Sequence, residues 1–193
     1  MLTLTNNNLA AHASVITLRA NLAPGAATDL KGNLTIISDN GQTITIEPNG
    51  GETIGTSALV RLGSLTVGGD EDTTINVPVY AQKINIDADA KDTTFGDVVD
   101  SGVGGEMKVT KNGQVSFEDN TGIPKIDLGG NDVNIDVAAG QTLRVDTISN
   151  PAVGSILSLV DNGSNLAPYT ALADVDITMD KFTVAEAGAT NNL

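Results

Sequence analysis

Residues 34–47 read LTIISDNGQTITIE. Apolar residues flank Asp39-Asn40-Gly41, and their alternation sets the first expectation for the fold. A two-residue Asn40-Gly41 turn would set Ile37 opposite Ile44 and Leu34 opposite Glu47, mixing apolar and polar groups on each face. A three-residue Asp39-Asn40-Gly41 loop instead sets Ile36 opposite Ile44 and Leu34 opposite Ile46. Four apolar side chains then share one face, as a half-buried strand pair requires. Loops of this kind end in a residue with positive φ, which Gly41 supplies without strain. The pattern recurs at 107–117, MKVTKNGQVSF, where a Lys111-Asn112-Gly113 loop sets Val109 opposite Val115 and Met107 opposite Phe117. Gly41 and Gly113 are therefore the expected turn-forming residues, and two agreeing hairpins predict an all-β chain.

Outward from these stretches, strand-like segments continue at 59–67, 74–79, 83–86, 133–137, 142–146, 156–160, 175–179 and 182–184, separated by Gly, Pro, Asn and Asp. The expected architecture is a β-sandwich, a barrel or short β-solenoid modules built from hairpins, with an N-terminal arm. The arm spans 1–29, a β-module 30–92, a middle hairpin or connector 93–128, and a second β-module 129–193. The stretch Leu9 to Leu22 fits neither the helical nor the strand period cleanly, and reads as a short helix, a docking arm or a frayed first strand. Segments 32–47, 58–70 and 78–88 echo 130–146, 152–164 and 168–180 in the same order, at offsets of about 99, 94 and 90 residues, the mark of a duplication. No period of about 20 to 25 residues repeats cleanly, which counts against a long regular solenoid.

Aromatic residues make up only 3% of the chain, so the core must rest on Ile, Val, Leu and Ala. There is no cysteine, which excludes disulfides and thiolate metal sites. The opening MLTLTNNNLAAHAS lacks a basic start and a long apolar run, so no signal peptide is expected. No stretch approaches the roughly 20 apolar residues of a membrane-spanning helix. A net charge of −14, from 24 acidic and ten basic residues, would repel phosphate backbones and argues against nucleic-acid binding. The simplest service of that charge is solubility.

Catalytic groups are sparse. His12 is the single histidine, and no G-x-S-x-G segment accompanies it. Carboxylates for glycoside chemistry are abundant, but there is no tryptophan to form a sugar platform. An enzyme is not expected. Asp132-x-Asn134-x-Asp136 begins like a calcium loop, but Val137 and Leu143 stand where the turn glycine and the closing Glu belong. Its strict alternation reads instead as a strand with polar residues facing water. The better candidate for a metal, calcium, is Asp70, Glu71 and Asp72, crowded after Gly68-Gly69, with a solvated acidic turn as the plain alternative. Otherwise no cofactor is expected. Asn33-Leu34-Thr35 and Asn162-Gly163-Ser164 match the glycosylation pattern by sequence alone.

Acidic, cysteine-free, β-rich and carrying an arm, the whole chain resembles in general character the capsid decoration (cement) proteins of tailed bacteriophages. That resemblance implies a non-enzymatic homotrimer on the virion exterior, bound to the major capsid protein and tying neighbouring subunits together, with no nucleic-acid or membrane partner. The alternative expectation is an extracellular or cell-surface structural or adhesive β-domain of the S-layer, fibre or autotransporter kind, stabilised by calcium.

Overall fold

A computed structural model describes residues 1–5, 14–23, 30–39, 41–57, 60–89, 91–153, 155–159, 165–167, 176–177 and 181–184. The chain winds in successive coils, each contributing a short strand to each face in turn. The first coil carries β1 (Leu2–Thr5) and β2 (Ser14–Leu18), and the second β3 (Lys31–Ser38) and β4 (Ile44–Pro48). The third carries β5 (Leu62–Gly69), β6 (Thr73–Ile75) and the start of β7 (Val79–Ala88), whose remainder opens the fourth, followed by β8 (Lys91–Phe95) and β9 (Val99–Asp100). Then come β10 (Glu106–Val109), β11 (Gly113–Phe117) and β12 (Thr121–Gly122), and after them β13 (Lys125–Asp127), β14 (Val133–Val137) and β15 (Thr142–Arg144). The last described coils hold β16 (Thr147–Ser149), β17 (Ile156–Leu159) and β18 (Asn165–Ala167), then β19 (Asp176–Ile177) and β20 (Lys181–Val184).

These strands form a 12-stranded sheet and an 8-stranded sheet. Every ladder in both is parallel. The larger sheet has two branches that meet at β7: Val79 and Tyr80 pair with β9, while the rest of the strand pairs with β5 and β10. Parallel neighbours need a long crossover, which α/β proteins usually make with a helix. Here no helix occurs among the described residues, and the crossover from one strand to its neighbour is made by strands on the other faces.

This corrects the hairpin reading and with it the sandwich, barrel or hairpin-built modules. β3 lies in the larger sheet and pairs with β1 and β5, whereas β4 lies in the smaller one and pairs with β2 and β6. Ile36 is partnered by Val67, not by Ile44. The same holds for β10 and β11: Met107 pairs with Ile84 and Ile126, and Phe117 with Phe95 and Val137. The middle segment is thus no hairpin. Leu34, Ile36, Ile44 and Ile46 are all buried, but they reach the interior from two different sheets. A coil corner and a hairpin turn both call for the same short Asx-Gly signal, so the local sequence fits either.

Register stacks like on like. Leu34, Leu65, Ile84, Met107, Ile126 and Ile148 form one buried column, and Ile46, Ile75, Phe95, Phe117 and Val137 another. Val79, Val99, Thr121 and Leu143 line the third face. Burial at positions two apart follows the strand period, as in β14, where Val133, Ile135 and Val137 point inward and Asn134 and Asp136 outward. At one corner the buried Ser38 hydroxyl lies 2.9 Å from that of Thr73 and donates to the Glu71 carbonyl at 2.5 Å.

Residues of the expected arm fall partly within these sheets. Leu2–Thr5 and Ser14–Leu18 are paired strands, while 6–13 and 24–29 lie outside the described residues. Gly41 follows β3 at a corner with φ +72°. Gly113 has φ +154°, and a Cβ there would meet the Lys91 carbonyl oxygen at 2.7 Å.

Candidate functional site

The three carboxylates after Gly69 sit where β5 turns into β6, and they diverge. Glu71 pairs with Lys91, Oε2 to Nζ 3.3 Å. Asp72 Oδ1 accepts the backbone N–H of Asp92 at 3.1 Å. Asp70 lines a shallow groove with Asp39, Asp87, Asp89 and Lys111, whose Nζ is 3.9 Å from Asp87 Oδ1. No group of three metal-ligating side chains gathers among the described residues. The Asp72 device repeats two coils further on, where the N–H of Asp132 donates to Asn112 Oδ1 at 3.0 Å. Side chains here bind the backbone of the next coil, so the acidic corner acts as a clamp between coils.

Charge accumulates along that corner. Burial, then the nearby Asp72 and Asp136, push the Asp92 carboxyl above the usual carboxylate value, against the opposing pull of Lys91. Asp127 is held below it: Asn150 donates from Nδ2 at 2.9 Å and the Gly129 N–H donates at 2.9 Å to the same Oδ1. His12 and the Asn162–Ser164 glycosylation pattern lie outside the described residues. Asn33 is exposed, with Oδ1 2.9 Å from the Ser64 hydroxyl.

A second polar constellation, not anticipated from the sequence, lies on the outer face of β9, β12 and β15. Outward positions of these strands stack in register: Asp100 on Gly122 on Arg144, with Tyr80 of β7 beyond Asp100. Beside this column, Asn120 Oδ1 accepts the Thr142 N–H at 3.2 Å. Gly122 contributes no side chain, so a groove of about 430 Å³ opens between Asp100 and Arg144, walled by Val98, Asn120 and Thr142. Asp100 is fixed from behind: Arg61 Nη2 lies 3.2 Å and the Gly102 N–H 2.7 Å from its Oδ1. Arg61 is 13% exposed, and its guanidinium packs so closely on Gly102 that a Cβ there would meet Cζ at 2.5 Å. Asp100, Gly122 and Arg144 are 22 residues apart in succession, a spacing that picks them out once the coil length is known.

No family model, curated protein or solved structure matches the chain.

Proposed function

We propose that this protein is a structural component of a virion exterior that does no covalent chemistry and works by holding neighbouring subunits together, in the manner of a capsid decoration protein. The observation that carries this reading is the in-register stacking of coil upon coil, with the Phe95 and Phe117 rings stacked 5.6 Å apart inside. A core of that kind, interdigitated to the density of a crystal, resists deformation and presents flat faces at fixed spacing. The acidic surface keeps such a particle soluble until it meets its assembly partner. A homotrimer on the major capsid protein is the form expected. Light scattering after size exclusion tests it: a mass three times that of the chain supports the reading, and a monomer at every concentration overturns the trimer.

The outer face of β9, β12 and β15 favours a second reading, an extracellular or cell-surface adhesive domain. Side chains of both polarities line an open groove there, and the backbone below is already paired on both sides. Probing intact virions and the cell surface with an antibody to this chain separates the two settings: label on the capsid supports the first, label on the cell envelope the second.

A further inference from the structure

We infer that the groove between Asp100 and Arg144 is a binding site for a sugar bearing one carboxylate, such as a uronic or sialic acid at the end of a glycan. The inference stands apart from the assembly role, since it needs only this face to be exposed.

Width comes first. Adjacent strands lie about 4.8 Å apart, so Asp100 and Arg144, two strands apart, are roughly 10 Å apart at the backbone. Gly122 between them leaves a gap that any other residue would fill. A pyranose ring fits a gap of that width when it lies across β12.

Chemistry comes second. The wall offers the exposed Arg144 guanidinium as donor, while Asp100 and the Asn120 amide, held by Arg61, Gly102, Asp119 and the Thr142 N–H, form fixed polar edges. β9, β12 and β15 are each paired on both sides, so a peptide cannot add as a strand. Recognition must run through side chains, which suits a polyol.

Charge comes third. Arg144 is exposed and makes no ion pair among the described residues. Asp100 is already neutralised by Arg61. Asp97 and Asp119 adjoin the walls through Val98 and Asn120, so the positive charge is local to Arg144, whose guanidinium can bind one carboxylate through two parallel hydrogen bonds. A polyanionic glycan is disfavoured by the −14 of the whole chain, whereas one carboxylate at Arg144 is shielded from distant charges by a screening length of about 8 Å at physiological salt.

The test is titration of the full chain with glucuronate, galacturonate and 3′-sialyllactose against glucose and lactose, followed by amide chemical shifts and calorimetry. At least one carboxylated sugar should bind, with shifts centred on Gly122 and Arg144 and with the neutral sugars at least tenfold weaker. Arg144→Gln should weaken binding about tenfold or more. Gly122→Val should abolish it while leaving the melting temperature unchanged or higher, because valine suits a strand better than glycine. Lack of binding by every carboxylated sugar at about 10 mM overturns the inference. So does equal binding of the neutral sugars, or undiminished binding by Arg144→Gln or by a folded Gly122→Val. None of these outcomes bears on the trimer, which light scattering reads separately.

Discussion

Phe95 and Phe117 stack inside the smaller sheet with ring centroids 5.6 Å apart and planes 15° from parallel. They are direct register partners on β8 and β11 and both are fully buried, so the coil repeat itself sets the ring spacing.

Truncating one ring leaves a void that the neighbouring coils cannot close, because their own ladders hold them in place. Phe117→Ala should cost about 3–5 kcal/mol. For a chain of this size that lowers the melting temperature by roughly 10 °C or more. Phe117→Leu, which keeps most of the volume, should cost well under half of that in the same thermal melts. Equal losses for the two variants would contradict the cavity account and place the stabilisation in the ring contact itself.

Two corner glycines should differ sharply. Gly41 has φ +72° with open space around an added Cβ, so Gly41→Ala carries only the backbone strain, about 1 kcal/mol. Gly69 has φ +113°, and a Cβ there would run into the Ser38 carbonyl of the preceding coil, with the Ser38 nitrogen 2.8 Å away. Gly69→Ala should therefore cost at least twice as much as Gly41→Ala, measured side by side by denaturant unfolding.

Ion pairs should rank by burial rather than by length. Lys125 and Glu106 form the shortest pair among those described, 2.7 Å, yet both ends are wet, and Lys125→Ala should leave the melting temperature unchanged. Arg61 and Asp100 are longer at 3.2 Å but far less exposed. Arg61→Ala removes a charged hydrogen bond and the packing on Gly102, and should cost about 2 kcal/mol.

Asp127 and Asp92 should respond to acid in opposite senses. Asp127 titrates below its unfolded value of 3.8, so its contribution to stability is present above that value and is lost as pH falls through the folded one. Asp127→Asn should then destabilise at pH 7 and lose its effect in strong acid. Asp92 titrates above 3.8, so its charge disfavours the fold at neutral pH, and the penalty disappears as pH falls through the raised value toward 3.8. Asp92→Asn should raise the melting temperature at pH 7 and not at pH 3. Melts of both variants across that range check the signs.

Much of what faces inward was legible from the chain, because alternation is a local property: Ile44 and Ile46, or Val133, Ile135 and Val137, declare it within a few residues. Pairing direction was not, because the partner of each strand lies a full coil away. From Leu34 to Leu65 is 31 residues, Leu65 to Ile84 only 19, Ile84 to Met107 23, and Met107 to Ile126 again 19. The long early coils carry extra residues at their corners, such as those between β4 and β5, and that irregularity hid the period. Corner signals like Asn112-Gly113 then read as hairpin turns. The groove on β9, β12 and β15 was hidden for the same reason, since Asp100, Gly122 and Arg144 are neighbours only when the coil is closed. The acidic run 70–72 was visible, but not that Asp72 would spend its carboxylate on the backbone of Asp92.

The position of β7 bears on how the molecule would answer a pull. Its hydrogen bonds, like those of all the strands, run from coil to coil. Tension along the stacking direction loads these bonds a few at a time, and coils should peel off singly at modest force. Tension across the stack instead shears many ladders together. β7 spans both branches of the larger sheet and joins the early coils to the later ones, so peeling from either end should stall when it reaches that strand. A single-molecule trace with small steps of unequal length, following the coils, and one taller peak would be the mechanical signature of that arrangement.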